Sequence, residues 1–313
     1  MLRRLLRSLK RRFTADNSTK RLLHEIAFFS NDAKNGRWYD AGDNMILTSI
    51  YSNQIIAVDR RDISLAPHLI LRGIWEMELT QKCESIVSQI NNPIIIDVGA
   101  NFGWYGLVLS RFSGQSSIHF FEANPNLIEL LEKTTLVNGL ALRSTINNCA
   151  VSSCSGETLE LSIQKHHLGS SSIHEFSTSQ LTSYHEKPED LQRVSIQSVS
   201  LDDYCNSNAI DAIDFLKIDV EGAEANVLTG ANQIISRSPN LAMMVEWNKS
   251  RYGNDILAAL AQFRSCEGLH HRGHWVDLSA ALHGSSTVQA FEQALTTSLN
   301  DPTRSSHDLI FRK

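Results

Sequence analysis

The sequence predicts an α/β protein built on a doubly wound, mostly parallel sheet, and three stretches carry that prediction. Ile94-Ile95-Ile96-Asp97-Val98-Gly99 is a β-branched apolar run ending in Asp and Gly, the pattern of a strand buried on both faces that turns sharply into a helix. Ser117-Ile118-His119-Phe120-Phe121-Glu122 repeats it, with the carboxylate 19 positions after Gly103. Asp214-Phe215-Leu216-Lys217-Ile218-Asp219 gives a third strand of the same kind, followed by Val220-Glu221-Gly222. Strands alternating with helical segments imply parallel pairing, and open α/β sheets bind ligands at the carboxyl ends of such strands.

Along the chain, the first twelve residues carry six positive charges, with Leu2, Leu5, Leu6 and Leu9 at helical spacing. The segment reads as a solvated basic tail, with peripheral contact to an anionic inner membrane surface as the alternative. No apolar run is long enough for a signal-peptide core or a membrane span. A helical run near Arg21 to Phe29, strand-like segments at Met45 to Ile50 and Gln54 to Val58, and a helix from Glu76 to Ile90 make residues 1–90 an N-terminal α/β extension. Residues 91–313 form the main domain. With 313 residues, 42% of them hydrophobic, the chain is long enough for both.

A net charge of -5 argues against wholesale nucleic-acid binding. The five cysteines are odd in number and form no Cys-x-x-Cys pair, which suits reduced thiols in a cytoplasmic protein.

The turn after the first central strand decides the ligand class. Gly99 and Gly103 let backbone approach a ligand closely, and the helix that follows offers unpaired N–H groups. A dinucleotide fingerprint needs a middle glycine where Asn101 stands and a third where Trp104 stands. A phosphate loop would need a Gly-Lys-Ser/Thr ending, which this loop lacks. Glu122 stands where an α/β nucleotide site holds ribose hydroxyls, because two carboxylate oxygens match a vicinal diol. Asn124-Pro125 reads as helix cap and first helical residue, and Asn138-Gly139 as the stop.

A third parallel strand is expected near Thr145 to Val151. Beyond it, Thr158 to Ile163 and Arg193 to Val199 read as strands flanking a polar loop from His166 to His185. A loop of that length serves as a lid, a substrate loop or a disordered segment. Its histidines lack metal-ligand spacing. Asp219, Glu221 and the strand-end Glu246 of Met243-Met244-Val245-Glu246-Trp247 fall at one sheet edge. Three carboxylates there either bind a hard cation or leave one acid with a raised pKa, and no metal ligand is assigned. Trp104 and Trp247 read as core or as aromatic flanks of a ligand, and His270-His271-Arg272-Gly273-His274-Trp275 as loop or sheet edge.

The loop Asp97-x-Gly99-x-Asn101-x-Gly103 is similar to the S-adenosylmethionine loop of class I methyltransferases. Together with Phe121-Glu122-x-Asn124-Pro125 and Leu216-Lys217-Ile218-Asp219-Val220-Glu221-Gly222-Ala223-Glu224, it resembles the FkbM family of S-adenosylmethionine-dependent methyltransferases. The likeness runs from about Gly73 to Glu246, and Asp308-Leu309-Ile310-Phe311-Arg312 looks like the family's closing strand. Gly73-Ile74-Trp75-Glu76 matches a short motif ahead of the domain, to which no role is assigned.

The resemblance implies a Rossmann-like, seven-stranded sheet of order 3-2-1-4-5-7-6 with an antiparallel seventh strand. It implies that Asp97, Gly99 and Asn101 line the methionine end of the cofactor, that Glu122 takes the ribose, and that Lys217, Asp219 and Glu221 border the transfer site. Gly103 and Asn124 complete the candidate cofactor set. The implied reaction is O-methylation of a hydroxyl on a saccharide, glycolipid or other small metabolite. Asp219 and Glu221 are the candidate bases, and Lys217 either steadies a developing alkoxide or pairs with Glu221. A nicotinamide oxidoreductase and a non-catalytic binding module are the rival readings.

Overall fold

The structure is a computed structural model that describes residues 37–176, 181–182, 186–249, 251–254, 256–300 and 306–313. The basic first twelve residues, the helical run Arg21 to Phe29 and His185 lie outside the described residues. An antiparallel meander of β1 (Trp38–Gly42), β2 (Met45–Ser49) and β3 (Ile55–Asp59) leads to helices α1 (Ala66–Arg72) and α2 (Met77–Val87). The central sheet starts with β4 (Ile94–Val98), α3 (Trp104–Leu109), β5 (Ser117–Phe121), α4 (Ile128–Val137) and β6 (Ser144–Asn147). A small sheet of β7 (Ala150–Val151), β8 (Thr158–Ile163) and β9 (Gln192–Val199) interrupts the alternation. The chain returns through α5 (Leu201–Ser207), β10 (Phe215–Ile218), α6 (Glu224–Thr229), α7 (Asn232–Arg237), β11 (Ala242–Asn248) and α8 (Ile256–Leu260). It closes with β12 (Ser265–Leu269), β13 (Trp275–Asp277), α9 (Ser279–Gly284), α10 (Val288–Leu299) and β14 (Ser306–Arg312).

The central sheet has the order β13-β12-β14-β11-β10-β4-β5-β6. β4 pairs in parallel with β5 and β10, and β14 runs antiparallel to both β11 and β12. The expected order is therefore present, but with eight strands rather than seven. The extra strand, β13, forms a hairpin with β12, and the histidine-rich stretch is its turn, closed by His270 N–H donating to His274 O at 2.9 Å.

Successive residues of β4 explain its unbroken apolar run. Ile95 packs into one core with Phe102, Leu107 and Leu131, whereas Ile96 and Val98 pack into the other with Leu216 and Val245. A strand covered on both faces has no side on which a polar residue is free of cost. The extension joins the first of these cores through Ile46, Ile56 and Val58, and β3 lies against α4. Its backbone is tied in as well: Ala57 N–H donates to Thr134 Oγ1 at 3.0 Å and Ile55 N–H to Asn138 Oδ1 at 3.0 Å. All five cysteines are free thiols. Among the described residues no helix is long and apolar enough to cross a membrane.

Candidate active site

At the carboxyl ends of β4, β5, β10 and β11 lies a cavity of about 240 Å³. Of the residues predicted for the site, Gly99, Asn101, Glu122, Lys217, Asp219 and Glu221 line it. Asp97, Gly103 and Asn124 do not, and each is displaced for a physical reason. Asp97 is 1% exposed and points beneath the turn, where its Oδ2 accepts Gly106 N–H at 2.9 Å and anchors the first turn of α3. Gly103 adopts φ +86 at the start of α3, and a side chain there would strike Leu131. Asn124 is fully buried; its Oδ1 caps the turn after β5 by accepting Asn126 N–H at 3.0 Å.

Gly99 lines the cavity, yet the approach that demands glycine is to protein rather than to ligand. A Cβ there would lie 1.7 Å from the backbone oxygen of Asp219, and φ is +72. The two strand-end turns thus touch through bare backbone. Lys217, 3% exposed, clips them together: its Nζ donates to Gly99 O at 2.6 Å and to Val98 O at 3.2 Å. The same ammonium sits 3.4 Å from Asp219 Oδ2 and 3.7 Å from Asp97 Oδ1. Burial alone lowers its pKa, but Asp219 and Asp97, with Glu122 and Glu76 behind them, outweigh burial and hold it above the usual lysine value. The expected pairing of Lys217 with Glu221 is corrected: its ion-pair partners are Asp97 and Asp219, and it also donates to two backbone carbonyls.

Glu122 has the setting of a ribose ligand. Its two oxygens accept Asn101 N–H and Asn124 N–H, each at 2.7 Å, which fixes the carboxylate while leaving lone pairs toward the cavity. Burial raises its pKa, and the two backbone donors oppose the rise. Asn101 stands in the left-handed region at φ +53, and its buried Oδ1 has no partner in the protein. An orphaned acceptor in a cavity wall is a place for a ligand donor. On the β7 side the wall is apolar, with Ala150, Val151 and Leu161; on the β10 side it is charged. One apolar and one charged end suit a base at one side and an amino acid at the other.

The loop after β8 roofs the cavity with Gly169, Ser170, Ser171 and Ile173. Asn124 Nδ2 donates to Leu168 O at 3.0 Å and Ser171 Oγ at 3.1 Å, Leu168 N–H donates to Asp62 Oδ2 at 3.1 Å, and Ser172 Oγ donates to Glu221 O at 3.0 Å. The loop is thus pinned to β5, to the extension and to the turn after β10.

Two further wall residues stand outside the predicted catalytic and cofactor set: Glu246, expected only as one of three converging carboxylates, and Glu76. Glu246 accepts Asn248 Nδ2 on one oxygen at 3.1 Å and Ser306 Oγ on the other at 3.0 Å. Burial, then Asp219 and Glu224, push its pKa up to about 7. Glu76 reaches the wall from the extension. Glu221, with φ +54, is pushed well above the usual range by burial, then by Asp219 and Glu246. Among the described residues no group of three or more His, Cys, Asp or Glu is arranged to hold a metal ion. Raised pKa values, one of the two outcomes expected for converging carboxylates, are present at Glu221 and Glu246. Trp247 is fully buried, donating to Glu292 Oε1 at 3.3 Å and stacking on Tyr252, and is core; Trp104 lines the cavity.

A buried carboxylate fixed by two backbone donors, beside a glycine turn that lacks the dinucleotide and phosphate-loop sequences, is the arrangement of a nucleoside-binding α/β site. A family model described as the Methyltransferase FkbM domain matches residues 97–270, and the chain belongs to that family of S-adenosylmethionine-dependent methyltransferases. Methyltransferase sdnD of Sordaria araneosa is 26% identical over 198 residues, 58% of this chain and 76% of that protein. Among solved structures, a SAM-dependent methyltransferase from Agrobacterium tumefaciens aligns with a TM-score of 0.39 at 9% identity, over 87% of this chain and 71% of that one. The tRNA (uracil-54, C5)-methyltransferase of Pyrococcus abyssi, in complex with S-adenosyl-L-homocysteine, aligns at 0.42 and 10% identity over 87% and 44%. Likeness at that level bears on neither mechanism nor substrate.

Proposed function

We propose that the chain transfers a methyl group to a hydroxyl of a saccharide, glycolipid or other small metabolite. The observation that carries this reading is Glu246, a carboxylate in the cavity wall, hydrogen-bonded on both oxygens and poised near neutral pH. An alcohol is a poor nucleophile until a base takes its proton, and a base works best when its pKa lies close to the working pH. Glu246 meets both requirements better than the two bases expected from sequence. Burial and the neighbouring Asp219 and Glu246 hold the Glu221 carboxyl well above the usual carboxylate range, whereas Asp219 lies beside the Lys217 ammonium.

When bound, S-adenosylmethionine supplies an electrophilic methyl. Glu122 and Asn101 hold the nucleoside, the Gly99 and Asp219 turns form the floor, and the loop over Gly169 to Ile173 excludes water so that the acceptor oxygen is positioned rather than solvated. Glu246 then receives the hydroxyl proton. The test is transfer of isotopically labelled methyl from S-adenosylmethionine to neutral glycan and lipid fractions of cells lacking the gene. Label recovered as a methyl ether supports the reading; label recovered only on nitrogen or carbon overturns it.

A further inference from the structure

The motif Gly73-Ile74-Trp75-Glu76 lies outside the family-matched segment, yet the fold brings its last residue into the cavity wall. Gly73 closes α1 in the left-handed region at φ 64, its O accepting Tyr51 N–H at 2.9 Å. Glu76 is itself left-handed, at φ 41, a conformation that costs a non-glycine residue about 1 kcal/mol or more and persists only where its surroundings enforce it. The enforcement is visible. Thr80 N–H donates to Glu76 O at 2.8 Å, Thr80 Oγ1 donates to Trp75 O at 3.0 Å, and Trp104 Nε1 donates to Thr80 Oγ1 at 2.9 Å. The Glu76 carboxylate is aimed by Tyr105, whose buried hydroxyl donates to Oε2 at 2.7 Å.

Charge gives this carboxylate its meaning. Burial raises its pKa, Tyr105 opposes the rise, and Asp219 adds to it. The nearby ammonium of Lys217 is already shared between Asp97, Asp219 and two carbonyls, and among the described residues no ion pair reaches Glu76. β5 and β10 flank β4 on opposite sides, so Glu122 lines the cavity on one side of β4 and Asp219 on the other, with Glu76 in the same wall. The cofactor's 5′ substituent ends in an amino acid bearing an α-ammonium.

We propose that Glu76, aimed by Tyr105, binds the α-ammonium of the cofactor, so that the extension completes the methyl-donor site. The assignment rests on the methyltransferase reading and is tested by binding rather than turnover. Calorimetry compares S-adenosylhomocysteine with 5′-methylthioadenosine, which keeps the adenosine and sulphur but lacks the amino acid. Glu76→Gln retains the size of the side chain and an oxygen for Tyr105. Its affinity for S-adenosylhomocysteine should fall about ten- to hundredfold, while that for 5′-methylthioadenosine stays within about twofold. Retained 5′-methylthioadenosine binding also reports that the variant is folded. Equal weakening of both ligands, or of neither, overturns the role of Glu76. Failure of the unaltered protein to bind either ligand overturns the cofactor assignment beneath it.

Discussion

Glu122 and Glu246 are both buried acids, and their surroundings give them opposite tasks. Glu122 receives two backbone N–H groups, so its charge is matched by fixed dipoles and it serves as a static acceptor. Removing it orphans both donors and the ligand hydroxyls together. At about 1.5–3 kcal/mol for each hydrogen bond to a charged group, Glu122→Ala should weaken S-adenosylhomocysteine binding by at least about a hundredfold, read by calorimetry. Glu246 receives side-chain donors only and faces Asp219 and Glu224, which keeps its proton exchangeable near pH 7. Methyl transfer by the unaltered protein should therefore rise with pH as Glu246 ionises through about pH 7. Glu246→Gln should cut the rate about 10²- to 10⁴-fold and remove that limb while leaving cofactor affinity intact. A variant that is slower but keeps the same pH limb would assign the proton to another group. Asp97 is a third case: it lies outside the cavity lining, and Asp97→Ala takes one of two carboxylates from the buried Lys217 ammonium and leaves Gly106 N–H without its acceptor. That loss should cost about 3–5 kcal/mol in urea melts, with weaker cofactor binding as its consequence.

The roof over the cavity belongs to the scale of elements, and its stability rests on a few polar ties. Asn124 joins the end of β5 to the loop through Leu168 O and Ser171 Oγ while capping its own turn. Asn124→Ala removes all three bonds, a loss of about 1–3 kcal/mol in total after solvent exchange. Hydrogen exchange should then quicken from Gln164 to Ser172, where Ser162 and Ser172 pair, while the rates in β4 and β10 are unchanged. Uniform quickening would mean global destabilisation instead. The strands beneath this roof were legible in the sequence because burial on both faces leaves a local signature, an unbroken apolar run closed by an acid and a glycine. The roof was legible only as a long polar loop, because its ties to Asp62, Asn124 and Glu221 join segments with no local pattern in common. The demand for glycine at position 99 was legible, but its cause was not. The atom it must avoid, the Asp219 carbonyl oxygen, lies 120 residues away in the chain.

At the scale of the whole molecule, the site gathers Asp97, Glu122, Glu221 and Glu246 under one sheet edge, all with pKa values raised first by burial. Sequence placed the acids that end β4, β5 and β10, because strand ends in such sheets converge. It left Glu76 without a role and cast Glu246 as one of three converging carboxylates that bind a hard cation or share a raised pKa, not as a base, because their settings depend on Tyr105, Asn248 and Ser306, brought in by helix and strand packing. Crowded acids carry a cost in stability whose sign follows from linkage. Glu246 binds its proton more tightly in the folded chain, at about 7 against the ordinary 4.5, so between those values the folded state holds more protons than the unfolded one. Stability then falls as pH rises through that window. The raised pKa of Lys217 does not offset this, since the stability it contributes is undiminished until pH passes the ordinary lysine value of 10.5. Asp40, Asp203 and Asp277, lowered by their hydrogen bonds, lose their contributions only as pH falls below their ordinary 3.8. The ligand-free protein should accordingly melt at a higher temperature at pH 5.5 than at pH 8, and Glu246→Gln, which has no proton to lose, should flatten part of that slope. Parallel profiles for the two proteins would show that Glu246 keeps an ordinary affinity for its proton, and would remove it as the acceptor of the hydroxyl proton.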